Sequence, residues 1–444
     1  MATPARPVTI SPMLLSAGGT TASAIGSFTF LAVASRRAGI GAFPTISTFW
    51  SLLFFGAVGL LIPLEQEAAR RIALAPPAER HVISRDAMTD VIVGGVMVAV
   101  PLGLASYGIA GPTLGRSFLL PAMLTASLCV LSVFHAARAW CIGNGRLAPL
   151  CRLLVAEGAA RLTLLLALGS RPNRVLVCAC IPTAAIIAVG SLGRSLPKPS
   201  RPRRPAGYKD RAALVGAAIA AQGVFNTASL AAPRFARPSE VAALGAFLSA
   251  VLLGRGPLMA FGALEAPMVS RLAPSLMAGD LAHFRRQMRA YLGGVVALGC
   301  AMTLLGTPMT SIAVVRVFGA SSPPAWPTIA CVFAASSAAL VALVAGQGSL
   351  LLGGHRLLPW PWLLGLAAGA TTLLAPLGLD SSARATAGFI AGGWVAAATS
   401  LVVLRHCARD RLSATASPDV DAAPDLPVLR QPGRAAALRS SNDR

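Results

Sequence analysis

The chain has 444 residues, of which 55% are hydrophobic and only 12% charged, with a mean hydropathy of +0.68. Soluble domains carry about twice that share of charge, so a water-soluble fold of this size is excluded. The net charge of +22 would point to nucleic acid in a soluble protein, but here its placement reads as membrane topology, and no nucleic-acid partner is expected.

Taken in chain order, the first apolar stretch covers 10–34 and ends in Ala32-Val33-Ala34, like a cleavage site. Its run is too long for a signal peptide and only Arg6 precedes it, so it is read as an uncleaved first helix. Five more follow at 39–63, 87–111, 117–141, 147–170 and 174–193. After a basic gap come 212–232, 239–267, 289–312, 325–352, 357–379 and 384–404. Each is close to the roughly 20 residues that cross about 30 Å of hydrocarbon as a helix. Strands of a membrane barrel would be half as long and would alternate. The expectation is an all-α integral membrane protein of about twelve transmembrane helices.

With an internal N-terminus, twenty-seven Lys and Arg residues fall on inner segments and nine on outer ones, a bias that puts both termini in the cytoplasm. Anionic lipid headgroups are the expected partners of the inner arginines. The segment Arg194 to Arg211, RSLPKPSRPRRPAGYKDR, holds both lysines of the chain and divides the helices six and six. Because six is even, the halves form a parallel repeat. The expected division is therefore a six-helix bundle over 1–193, a basic linker over 194–211, a second bundle over 212–404 and a disordered tail over 405–444.

An ungapped comparison at an offset of 200 supports duplication. Leu64-Glu65 falls on Leu264-Glu265, Arg71 on Arg271, Ala73 on Ala273, Ala78 on Ala278 and Arg85 on Arg285. Both stretches are the inner loops after the second helix of each half. The second continues as an amphipathic helix, with Leu281, Phe284 and Met288 on one side and Arg285, Arg286 and Arg289 turned to headgroups.

Residues 251–289, VLLGRGPLMAFGALEAPMVSRLAPSLMAGDLAHFRRQM with its flanks, combine an embedded arginine, a Pro-containing exit and a "gd…f…r" loop, and GLLIPLEQEAARR at 59–71 is the first-half counterpart. In these motifs and in its layout the chain resembles the multidrug/oligosaccharidyl-lipid/polysaccharide exporter superfamily, and within it the bacterial polysaccharide flippases of O-antigen and teichoic-acid type. The resemblance implies alternating access between two bundles and passage of a lipid-linked oligosaccharide from the inner to the outer leaflet of a bacterial plasma membrane. It also implies other polysaccharide-assembly proteins as partners. The chain lacks the extra helix pair of the fourteen-helix members, which counts against the peptidoglycan-precursor type. A multidrug exporter of the same superfamily, or a glycan polymerase or scaffold of an envelope-assembly complex, are the alternatives.

Charge deep in a membrane is costly and marks candidate sites. Arg255 sits near mid-depth between Gly254, Gly256 and Pro257, where the helix is expected to break or hinge. Two roles are open to it: its planar fork would bind a phosphate or acidic sugar, or it holds freed carbonyls and braces the bundle. Glu157 and Arg161, four apart on one helix face, are expected to pair; alternatively Arg161 faces Arg255 across a shared cavity. Glu65, Glu67, Arg70 and Arg71, with Glu265 and Arg271, are candidates for a cytoplasmic gate between the bundles, against an ordinary solvated collar. With Glu65, Asp90 and Glu265 placed near the inner boundary, Glu157 is the one deep carboxylate, which predicts weak ion coupling. The five histidines are scattered and mostly near helix ends, and no Walker loop, GxSxG or paired-carboxylate cluster appears. No enzyme activity, metal or cofactor is expected. Cys178 and Cys180 fall on different faces of a helix, so they do not form a metal pair.

Overall fold

The computed structural model describes residues 12–114, 118–170, 172–193, 196–197 and 208–416. All of the regular structure among the described residues is helical. In the first half, α1 (Pro12–Ala38) precedes a long second span made of α2 (Phe43–Gly56), a π-helical segment (Ala57–Leu61) and α3 (Ile62–Ala73). Helices α4 (Arg80–Leu114), α5 (Leu119–Gly143), α6 (Leu147–Ala167) and α7 (Arg174–Gly190) follow. The second half repeats the order with α8 (Tyr208–Phe235), a split span of α9 (Val241–Gly254) and α10 (Gly256–Met277), then α11 (Leu281–Arg316), α12 (Trp326–Leu351), α13 (Pro359–Leu374) and α14 (Ser381–Ala416). Counterparts begin about two hundred residues apart: Pro12 and Tyr208, Arg80 and Leu281, Leu119 and Trp326.

Among the described residues, seven helices are long and apolar enough to cross a membrane by themselves. Others miss that standard for visible reasons. Helix α6 carries Arg152, Glu157 and Arg161, α7 and α13 have 17 and 16 residues, and the eighth span is split at Arg255. Exposed apolar side chains such as Leu304, Leu305, Met309 and Ile312 on α11, each at least 62% accessible, are what a lipid-facing surface requires.

The π segment has a local cause. Pro63 has no N–H to give the preceding turn, and the chain slips by one residue, so that the Ile62 N–H donates to the Ala57 carbonyl, five residues back. Gly59 then lets this segment lie against α8: a Cβ there would stand 3.3 Å from Gln222 Cγ and 3.5 Å from Ile219 Cα.

Inside the first half, α1 packs on α6, α4 on α5, and α5 and α6 on α7. Inside the second, α14 packs on α12, α13 and α8, and α10 and α11 on α12. Contacts between the halves run from α2, the π segment and α4 to α8, and from α2 to α9.

Two expected boundaries are corrected. The tail was expected to be disordered from 405, but α14 continues to Ala416 because Leu404, Cys407 and Ala408 are buried against Leu281, Phe284 and Met288 of α11. The Arg285 guanidinium also donates to the Ala408 carbonyl at 3.5 Å. The apolar side of the amphipathic start of α11 therefore faces α14, while Arg286 and Arg289 stay exposed. At the linker, α8 already begins at Tyr208; most of 194–207 and all of 417–444 lie outside the described residues.

Candidate functional site

At the end of α9 the backbone of Arg255 leaves helical geometry at φ −81° and ψ 0°, and a new helix starts at Gly256 with Pro257 in its first turn. The expected break thus falls on Arg255 itself. Its side chain is buried at 7% accessibility, and one terminal nitrogen donates to the Ser229 hydroxyl on α8 at 2.7 Å. Its Nε is buried without a partner. A guanidinium has five N–H donors in a rigid fork, so this arginine keeps hydrogen-bonding capacity to spare.

Glu157 and Arg161 form an ion pair along α6 and are 3% and 5% accessible. The Arg161 guanidinium also donates to the Ser27 hydroxyl on α1 at 3.0 Å and lies 5.1 Å above the Trp50 ring and 5.8 Å above that of Phe30. Carboxylate, hydroxyl and two π faces together neutralise and orient this cation. Ser27 lies on α1 and Ser229 on α8, the first helix of each half. Each holds one deep arginine, so Arg161 and Arg255 have separate anchors.

The candidate gate residues are used inside the first half. Glu67 pairs with Arg70 at 2.9 Å and Arg71 pairs with Asp90 of α4. Glu65 is enclosed by the first half. Placed by hydropathy at the inner boundary, it is 3% accessible, with its Oε2 2.5 Å from His135 Nδ1 and its Oε1 3.2 Å from an Arg138 nitrogen, both on α5. Glu65 is thus as buried in the protein as Glu157. His135, 5% accessible, stands inside a helix against a carboxylate. Arg271 is exposed, and the side chain of Glu265 lies outside the described residues.

At the opposite end of the second spans, the two halves are tied together. Ser35 donates to the Phe318 carbonyl at 2.9 Å and Arg36 to the Arg316 carbonyl at 2.7 Å, joining the end of α1 to the end of α11. The rings of Phe43 and Phe318 meet edge to face at 5.7 Å between centroids. Gly245 of α9 admits the 40–42 turn so closely that a Cβ would stand 2.3 Å from the Ile40 carbonyl oxygen.

Sequence reasoning missed His135, Arg138, the two serines and this latch. His135 and Arg138 lie three apart on one helix face, the one local sign that they act together.

No protein-family model and no curated protein matches the chain. Solved structures do. One is the inward-facing conformation of a multidrug resistance MATE family transporter of the MOP superfamily, with a TM-score of 0.62, 12% identity, and coverage of 88% of this chain and 96% of that one. A MATE structure in a bent conformation gives 0.60 and 12%, over 93% of this chain and all of that one. A mutant of a Vibrio cholerae MATE transporter gives 0.56 and 15%, over 90% and 98%. The chain has the MATE fold. That fold agrees with the exporter superfamily that the motifs resemble and, at these identities, carries no substrate with it.

Proposed function

We propose that the chain is a membrane transporter that works by alternating access between its two helical halves. The observation that carries this reading is that the second span is interrupted in both halves, by a π segment in the first and by a break in the second, where the guanidinium of Arg255 is buried, within a MATE fold that covers nearly the whole chain. Discontinuous helices at mid-depth free polar groups for a ligand and supply places to bend. The tie between the halves at the latch end, with Glu67–Arg70 and Arg71–Asp90 paired within the first half at the other, supports this reading.

Export of amphiphilic small molecules is the first substrate reading, since the structural relatives include a multidrug resistance transporter. Arg255 adds a selection: with Arg161 already matched by Glu157, the spare donors of Arg255 favour a substrate bearing an anionic group. A lipid-linked glycan, whose pyrophosphate would meet the same donors, is the second reading, supported by the motifs of 251–289 and by this arginine. In both readings the halves are the moving bodies, the membrane supplies the lipid partners, and no cofactor takes part.

Proteoliposomes loaded with an anionic dye of the carboxyfluorescein type, or with ethidium, separate the substrate charges. Spheroplasts depleted of the protein, probed with an impermeant sugar oxidant, report the leaflet of lipid-linked oligosaccharides. Dye movement that needs Arg255, with leaflets unchanged, supports small-molecule export. Glycans trapped inside and rescued by wild type but not by Arg255→Ala support the flippase. If neither effect is seen, the transport reading fails.

A further inference from the structure

Helix α8 presents a polar stripe to the seam between the halves. Its other side is spent on its own half: Gly223 lies against Leu366 of α13, Val224 against Gly392 of α14, and the Phe225 ring meets that of Trp362 edge to face at 5.3 Å. Gln222, Asn226 and Ser229 follow one another at spacings of four and three, which puts them on one helix face. That face looks across the seam, since Gln222 Cγ lies so near Gly59 of the π segment that a Cβ there would stand 3.3 Å away. Asn226 is 1% accessible. Its Nδ2 donates to the Gln222 carbonyl at 2.9 Å and to Gln222 Oε1 at 3.2 Å. A main-chain carbonyl only accepts, so these bonds fix which side of the amide carries the nitrogen, and they leave Oδ1 buried with no partner.

Three residues further along the stripe, Ser229 accepts from Arg255, whose Nε is likewise buried with no partner. An orphaned acceptor thus lies one helical turn, about 5–6 Å, from the serine that holds an orphaned cationic donor. Buried polar groups without partners are rare in folded proteins and call for an explanation. Helices α2 and α9 and the π segment bring no charged residue to this seam. The chemistry is that of a divided site, in which Arg255 takes an anionic oxygen and Asn226 Oδ1 takes a hydrogen-bond donor of the same molecule. That donor is a neutral hydroxyl or amide, because an ammonium so close to Arg255 would be repelled. We propose that Asn226 is a specificity-determining residue, which selects substrates carrying a hydroxyl or amide N–H about one helical turn from the anionic group held by Arg255, and that Gln222 positions its amide. This rests on the transport reading, in which parting of the halves opens the stripe to the ligand. A hydrophobic anion satisfies Arg255 alone and leaves Asn226 Oδ1 unpaired, a loss that sites built for hydrogen bonding discriminate against.

Calorimetric titration of the purified full chain in detergent with two soluble phosphates tests the site without transport. Glucose 1-phosphate and cyclohexyl phosphate share the anion and a ring of similar size, and differ in their hydroxyl groups. Wild type is expected to bind the first about tenfold more tightly, the gain of one added hydrogen bond. Asn226→Leu, close in size and without an acceptor, is expected to erase that preference. Gln222→Met keeps Asn226 but releases its amide, and is expected to narrow the preference; it decides the matter if Asn226→Leu does not fold. Arg255→Ala is expected to weaken both ligands. Equal affinity of the two phosphates in wild type, binding of neither, or a full preference that survives the deciding variant overturns the proposal. A preference that depends on Asn226 in a chain that moves neither dye nor glycan leaves the site standing and removes the transport reading instead.

Discussion

The second spans of the two halves stand at the same place in the order of helices and are interrupted in different ways. In the first half, Pro63 slips the helix into a π segment with no charge in it, and Glu65 lies just beyond, turned to His135 and Arg138. In the second half, Gly254 and Gly256 flank a full break, and the charge, Arg255, stands at the break itself. A π slip keeps the helix continuous and lets it transmit a bend, whereas a break exposes a donor. The comparison assigns motion to one interruption and binding to the other.

The largest effect is expected where a buried pair loses one member. Glu157→Gln leaves Arg161 uncompensated at 5% accessibility and should cost about 3–5 kcal/mol of stability. Adding Arg161→Met should restore most of it, measured by thermal unfolding in detergent. If the single variant is as stable as wild type, the pair is not a structural couple, and the second half loses its claim to the one uncompensated deep arginine.

Arg255 comes next. Losing charge-assisted hydrogen bonds worth about 1.5–3 kcal/mol should lower transport by about 10- to 100-fold in Arg255→Ala. Arg255→Lys keeps the charge but loses the fork, and should recover only part of it. Full recovery with lysine would show that charge alone matters. A similar loss from Ser229→Ala would place the Ser229 anchor in the same function.

These two arginines also show how far the sequence could be read. Both were identifiable because hydropathy makes a lone guanidinium in an apolar run conspicuous, and the Glu157 partner was four residues away on the same face. The break at Arg255 followed from its glycine and proline neighbours. The burial of Glu65 was not legible because hydropathy sees only its own neighbourhood, ending at Gln66 and Glu67, while its partners lie about seventy residues on. The latch was invisible for the same reason: Ser35 and Arg36 bond to main-chain carbonyls some 280 residues away, and carbonyls carry no sequence signal. The tail was misread past 404 since its apolar residues are few, and their burial depends on the start of α11.

A smaller change tests whether the π slip is the mobile interruption. Pro63→Ala restores a backbone donor and should favour a regular helix, stabilising α2–α3 by about 1 kcal/mol or more while slowing transport. Hydrogen exchange across 57–63 would report the gain in protection. Faster transport together with lost protection would reverse the roles given to the two spans.

The smallest effect lies outside both spans and serves as their control. Asp380 caps α14, accepting from the Ala383 N–H at 2.7 Å and from the Ser382 hydroxyl at 2.8 Å. The Ala383 N–H, with help from Ser382, holds its carboxyl below the usual carboxylate range. A folded-state value below the unfolded one means that the stabilisation is present above the ordinary carboxylate pKa and fades as pH falls through the lowered value. Asp380→Ala should therefore cost about 1 kcal/mol at neutral pH and less in acid, whereas Asp380→Asn, still a cap, should lose that pH dependence. Neither should alter transport. Slower transport on removing Asp380 would mean that general loosening of the helices, and not the two interruptions alone, governs the rate.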